Sequence, residues 1–207
     1  MALILILILL WILYFAVHSV FASNVIKKRF QKLFPGLNRF YRLIYIFFSI
    51  AGLVIIFIYQ AYLPISKLYS TNTLSSFIGL SLASFGLMIV ILSFSYYDTS
   101  EFLGLRQARG DTEEQTFIRN GILNYVRHPL YSGSILFLAG YLILAPNVVN
   151  LVSVICMIIY FVLGSYFEEK KLIKTFGKDY LKYKSEVPPF VPNIGLLFKR
   201  TAKAKIP

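Results

Sequence analysis

Residues 127–169 read RHPLYSGSILFLAGYLILAPNVVNLVSVICMIIYFVLGSYFEE. Two apolar runs, 129–145 and 148–167, are joined by Ala145-Pro146-Asn147 alone. Runs of this purity suit helices that cross a bilayer, the first being short unless the membrane is thin or locally covered. So brief a link forces the two helices to pack as an antiparallel hairpin. Arg127-His128 at its entry and Glu168-Glu169 at its exit then emerge side by side. Ionisable groups are expensive at a membrane boundary, so their gathering at one end of two adjacent spans points to a site rather than to packing.

Working outward, three more apolar runs lie at 2–23, 41–62 and 75–97. The chain is 57% hydrophobic and 14% charged over 207 residues, with a mean hydropathy of +0.69. That exceeds what a soluble core of this size needs. The expected fold is all-α and integral to the membrane, with five transmembrane helices, a C-terminal helical hairpin and a cytoplasmic amphipathic tail helix. The Leu/Ile alternation at 3–10 imitates a strand, but an open strand in lipid leaves its backbone unpaired, so a helix is expected. Val20-Phe21-Ala22 loosely resembles a cleavage site, yet no positive charge precedes the long apolar run, which is read as a retained anchor. Residues 1–207 are expected to form one membrane domain: three N-terminal spans in 1–97, then a loop, the hairpin and the tail in 98–207.

The formal charge of +12 would suggest nucleic acid in a soluble protein, but here its distribution decides. Lys27, Lys28, Arg29, Lys32, Arg39 and Arg42 follow the first span, Arg106, Arg109, Arg119 and Arg127 follow the third, and ten more basic residues begin at Lys170. The opposite side holds only Lys67. The positive-inside rule places the N-terminus outside and the third loop and tail in the cytoplasm, with membrane lipids rather than nucleic acid as partners. Small size and the lack of targeting extensions fit a bacterial inner membrane. The lone Cys156 excludes an internal disulfide, and no cluster has metal-ligand spacing. Gly79, Ala83 and Gly86 form a small-residue stripe suited to close helix contact.

Beyond the hairpin, Glu169, Leu172, Phe176, Tyr180 and Tyr183 recur at steps of three and four, the face of a helix able to fold over the hairpin mouth. Val187-Pro188-Pro189-Phe190-Val191-Pro192 stops it with an extended, partly apolar cover. Pro129 suits the first turn of a helix, putting His128 at its cap, where free backbone N–H groups and the helix dipole favour an anionic group. Tyr131 and Ser132 share the face of His128, and Gly133 permits close approach. Glu168 and Glu169 suit an ammonium, a ribose diol or a nearby Arg. Singly, each residue has a plainer role: Arg127 snorkels, His128 caps, the Glu pair ends a span. Snorkelling explains neither an acidic pair at a basic boundary nor a returning aromatic helix. A zwitterionic, aromatic, cationic ligand fits the set, S-adenosylmethionine being one candidate among several.

Gly121 through Gly133, followed one hairpin later by Glu168-Glu169-x-x-Leu172-x-x-x-Phe176-Gly177-x-x-Tyr180-x-x-Tyr183-x-x-x-Val187-Pro188, resembles the isoprenylcysteine carboxyl methyltransferase and phospholipid methyltransferase superfamily. The resemblance covers roughly the last 90 residues. It implies an intramembrane S-adenosylmethionine-dependent methyltransferase with the cofactor arriving from the cytoplasm. Arg127, His128, Pro129, Leu130, Tyr131, Glu168 and Glu169 would form the cofactor site, and Gln115, Thr116, Phe117 and Ile118 would border the adenosine. Leu123 departs from the family pattern, in which many relatives place Tyr. Gly164 stands where prenylcysteine-modifying members carry Arg. His18-Ser19 and the stretch from Glu101 to Gln107 are similar to the methanethiol S-methyltransferase branch, which makes a small thiol the first acceptor class, ahead of a prenylcysteine carboxyl or a phospholipid amine. No catalytic residue is assigned. A membrane sterol-type reductase using NADPH also carries Arg-His-Pro, usually before Asn rather than Leu130. A non-catalytic membrane protein or carrier would want broken helices at mid-membrane, whereas the polar set here lies at one edge.

Overall fold

The computed structural model describes residues 1–96, 100, 103, 105–109, 117 and 119–192. Its helices are α1 (Ala2–Phe21), α2 (Asn24–Leu33), α3 (Tyr41–Ala61), α4 (Thr73–Phe94), α5 (Leu105–Arg109), α6 (Pro129–Leu144) and α7 (Val148–Glu186), with 3-10 turns at Pro35–Phe40 and Gly121–Asn124. Among the described residues the sole β pairing is an isolated bridge between Lys67 and Asn147. Four helical stretches are long and apolar enough to cross a membrane: α1, the 3-10 turn continued by α3, α4, and α7. The apolar α6, at 16 residues, falls short of the roughly 20 that a full crossing takes. The protein is thus all-helical and integral to the membrane, with four spans that meet the length criterion where five were expected.

The chain divides into two compact units. The first contains residues 1–71, 98–114 and 145–160. Its core is Leu7, Trp11, Ile56, Leu63 and Val149, all buried. Trp11 brings a polar edge into that core and satisfies it by donating Nε1–H to Ser153 Oγ at 2.9 Å, as a buried indole must. Ser23 caps α2 by accepting from the Ile26 amide. Asn147 Oδ1 accepts the Asn150 amide at 2.9 Å and so starts α7. The residues around this turn are tied to an extended segment, with the Leu68 amide donating to Pro146 O and the Val148 amide to Ser66 O.

The second unit contains residues 72–97, 115–144 and 161–207. Asn72 and Ser75 open α4 with a reciprocal capping box. The stripe expected to bring helices together does so: Gly79, Ala83 and Gly86 of α4 lie against Gly133 and Gly140 of α6. A Cβ added to Gly140 would stand 2.6 Å from Gly79 O, and one added to Gly86 would stand 2.7 Å from Gly133 O. In lipid, where apolar burial gives no advantage between helices, such backbone contact supplies the dispersion energy that holds the pair.

The tail expected beyond the hairpin begins without a break from the span: the apolar part of α7 ends at Phe167, and the helix runs on through Glu168, Glu169, Lys170 and Lys171. Gly177 interrupts it with φ 55° and ψ −123°, a conformation essentially reserved to glycine. The interruption lets residues on both sides of it reach one cluster, in which Tyr180, Tyr183 and Val187 are buried against Phe117, Leu172, Ile173 and Phe176.

Gly140→Ala is expected to force α4 and α6 apart and destabilise the protein by about 1–3 kcal/mol, read as a lower thermal midpoint in detergent. Gly36→Ala, where an added Cβ meets nothing within 4 Å, should leave the midpoint unchanged. Equal midpoints for the two variants would contradict the contact.

Candidate active site

In the second unit the hairpin tips meet at Glu169, whose residue is 7% exposed. Arg127 grips Oε1 with Nε at 2.8 Å and Nη2 at 2.6 Å. His128 Nε2 lies 3.2 Å from the same oxygen, and Lys184 Nζ holds Oε2 at 2.6 Å. Burial pushes this carboxyl up, but the hydrogen bonds from Lys184, Arg127 and His128, with the charge of Arg127, outweigh it and hold the group at about 2. Arg127 is used twice over, since Nη1 donates to Lys184 O at 2.9 Å and to Val187 O, terminal carbonyls of α7 that lack helical partners.

The segment after α7 forms the expected extended cover, and its attachment is specific. The Arg127 amide donates to Pro188 O at 2.9 Å and the His128 amide to Pro189 O at 3.0 Å. Ser132 Oγ donates to Phe190 O at 2.7 Å, and the Phe190 ring lies 5.9 Å from His128. The amides of Arg127 and His128 are therefore committed to the chain's own tail. The anion site anticipated at free N–H groups does not include those two donors.

Around this latch the other expected residues take distinct positions. Pro129 is buried at the first turn of α6 and Leu130 is half-buried. The His128 ring, 4% exposed, stands 5.6 Å from Tyr131, which stacks on Phe161. Glu168 stays open, its side chain 41% exposed and its Oε2 3.8 Å from His128 Nδ1. The Tyr131 hydroxyl would be 3.7 Å from a Cβ on Gly164, so the missing side chain there leaves that edge of the ring clear. Leu123 is buried, and its carbonyl accepts from Tyr183 Oη at 2.6 Å. Phe117 packs among Phe176, Tyr180 and Tyr183. Gln115, Thr116 and Ile118 lie outside the described residues, as do Glu101, Asp111, Glu113 and Glu114.

Three features escaped the sequence reading. Lys184 closes the latch; it lies four residues after Tyr180, and that spacing was the available signal. Arg119 pairs with Glu186 at 2.6 Å and sits 5.2 Å over the Tyr183 ring, a contact between distant segments with no local signature. The Tyr180 hydroxyl is buried and has no hydrogen-bond partner among the described residues. Burial, then the charge of Glu169, pushes its pKa up, which keeps it a neutral O–H donor. A buried polar group in that state costs about 1–3 kcal/mol, and such exceptions call for an explanation. Among the described residues no group of His, Cys, Asp and Glu could hold a metal ion.

Comparison with known proteins bears on this region directly. The phospholipid methyltransferase family profile matches residues 74–179. The chain is 31% identical over 183 residues to a protein of Crocosphaera subtropica named methanethiol S-methyltransferase, covering 86% of this chain and 70% of that one. It is 29% identical over 196 residues to methanethiol S-methyltransferase 2 of Bradyrhizobium diazoefficiens, covering 92% and 73%. A methanethiol S-methyltransferase of Pseudomonas deceptionensis is 24% identical over 192 residues, covering 90% and 72%. No solved structure matches the chain.

The latch has a pH signature. A carboxyl held below its ordinary 4.5 contributes stability that is complete above that value and is lost as pH falls toward about 2. Glu169→Gln, which leaves Arg127 and Lys184 without their counter-charge, is expected to cost about 3 kcal/mol at neutral pH. The variant should also lose less stability than the parent between pH 4.5 and 2, followed by thermal unfolding across pH. Parallel profiles for the two proteins would exclude the assigned role.

Proposed function

The chain belongs to the phospholipid methyltransferase family, and on that premise we propose that this membrane methyltransferase uses S-adenosylmethionine to methylate a small thiol. The proposal places it in a bacterial inner membrane with the N-terminus outside, the tail in the cytoplasm and α6 completing a fifth crossing. The observation that carries it is the open Glu168 carboxylate beside buried His128, with a buried Tyr180 hydroxyl that has no hydrogen-bond partner among the described residues. These groups fit the cofactor's polarity: Glu168 would hold an ammonium or ribose hydroxyls, and Tyr180 would donate to an acceptor oxygen or nitrogen. His128, Pro129, Leu130 and Tyr131 would wall the site, and Gln115, Thr116, Phe117, Ile118 and Leu123 would border the adenosine.

When bound, the cofactor supplies an electrophilic methyl group on a sulfonium. Displacement at that carbon consumes positive charge, so in-line positioning and exclusion of water contribute more than a strong base does. The Pro188–Phe190 strap and the buried aromatic cluster are suited to excluding water. Glu169, held at about 2, makes a poor proton acceptor at neutral pH. Arg127 and Glu169 are assigned to positioning the site, because each satisfies the other. The thiol rests on the relatives named methanethiol S-methyltransferase and on Gly164 standing where a carboxylate-binding Arg would favour prenylcysteine.

Two measurements on the purified full chain test this. Labelled S-adenosylmethionine should bind, with at least tenfold weaker binding in Glu168→Ala and an unchanged thermal midpoint. Methanethiol should be converted to dimethyl sulfide in preference to methylation of phosphatidylethanolamine or a prenylcysteine analogue. Unaltered cofactor affinity in Glu168→Ala overturns the site, and binding of NADPH in place of S-adenosylmethionine overturns the reaction.

A further inference from the structure

In the first unit, α1 and α3 enclose a cavity of about 280 Å³. Its lining is mostly apolar, running from Leu10 to Phe21 on α1 and including Gly52, Ile55 and Ile56 on α3, and His18, Tyr45 and Ser49 form its polar part. Leu13 and Ile55 are 60% and 61% exposed, so the apolar part is open to the lipid side. From His18 to Leu10 the cavity follows α1 for about 12 Å at the rise of an α-helix. No carboxylate, lysine or arginine is among the described residues that line it. An ionic occupant would be desolvated there without a counter-charge.

With His18 assigned the Nδ1–H tautomer, the one that leaves no donor of the trio unspent, the polar part has a consistent hydrogen-bond pattern. Ser49 Oγ–H donates to the carbonyl of Tyr45, one helical turn back, at 2.8 Å. That leaves Ser49 Oγ to accept from His18 Nδ1–H at 3.0 Å. With Nδ1 carrying the proton, Nε2 accepts from the Tyr45 hydroxyl at 2.7 Å. Every donor in the trio is then spent, while Tyr45 Oη and Ser49 Oγ each retain an acceptor lone pair. A mere helix–helix tie needs no cavity beside it. Here the residual acceptors line an apolar, lipid-open slot.

We infer that this cavity binds an uncharged, single-chain apolar molecule bearing one O–H or S–H donor, seated with its head against Tyr45 and Ser49 and its chain along Leu10 and Ile55. The site is independent of the methyl-transfer proposal, and the inference survives if that proposal fails. A molecule whose head only accepts hydrogen bonds finds no donor here and leaves its own polar atom unsatisfied. Hydrocarbon volume and donor capacity are both required of the occupant.

The chain's single tryptophan, Trp11, adjoins Leu10 at the tail end of the cavity and reports occupancy without any enzymatic readout. The full-length protein in phosphatidylcholine nanodiscs is titrated with a decanol brominated at its tail end, and quenching of Trp11 is followed. Saturable quenching is expected, reversed by unbrominated decanol. The methyl ether of the same bromoalkyl chain should bind roughly tenfold more weakly, the loss of one hydrogen bond. Ser49→Ala removes an acceptor and frees His18 Nδ1–H, so it should narrow the alcohol-to-ether preference. His18→Phe should abolish that preference, and if it does not fold, the ether and Ser49→Ala comparisons still decide. Equal binding of alcohol and ether to the parent protein overturns the inference, as does quenching that rises linearly without competition. Saturating quenching by tail-brominated phosphatidylcholine that decanol cannot relieve also overturns it, assigning the slot to a lipid acyl chain.

Discussion

A buried carboxylate can persist only if its charge is matched, and Glu169 imposes that requirement on everything around it. Arg127, His128 and Lys184 converge on its two oxygens. These partners come from the loop before α6 and from the last turn of α7, so one neutralised charge joins segments roughly forty to sixty positions apart in the chain. Removing the carboxylate would leave buried Arg127 without its counter-charge, and an unmatched buried charge is costly. The same guanidinium then satisfies the terminal carbonyls of α7, and the adjacent amides hold the Pro188–Pro189 strap. The latch therefore fixes the arrangement of these segments.

This division of labour separates two carboxylates that look equivalent as a pair of neighbours. Glu169 points into donors and is held ionised by them. The side chain of Glu168, one residue earlier on the helix, remains 41% exposed beside His128. A 100° rotation between successive helical residues is enough to make one a structural charge and the other an open one. The buried Tyr180 hydroxyl, without a hydrogen-bond partner among the described residues, is held neutral by its burial and by the charge of Glu169.

Much of this was legible in the residues. The apolar runs read at 2–23, 41–62 and 75–97 are the helices Ala2–Phe21, Tyr41–Ala61 and Thr73–Phe94, because hydrocarbon tolerates only backbones that satisfy themselves. The Gly79, Ala83 and Gly86 stripe announced a close contact, since small residues at helical spacing serve little else. The Glu169, Leu172, Phe176, Tyr180 and Tyr183 periodicity identified the packed face of the tail. What periodicity could not show was that the tail continues α7 with a break at Gly177. Glycine terminates helices and interrupts them with the same backbone freedom, and neighbouring residues do not distinguish the two uses.

By itself, then, the sequence determined membrane residence, helical class, the juxtaposition of Arg127-His128 with Glu168-Glu169, and kinship with methyltransferases. These follow from local composition and from the shortness of the Ala145–Asn147 link, which are properties of contiguous chain. Only the tertiary structure decided which carboxylate is consumed by the latch, that Lys184 completes it, that the Arg127 and His128 amides belong to the tail, and that His18, Tyr45 and Ser49 close a donor-saturated ring beside an apolar cavity. Those outcomes depend on angles and distances between remote segments, and hydrogen bonds a few tenths of an ångström from failure leave no trace in residue order.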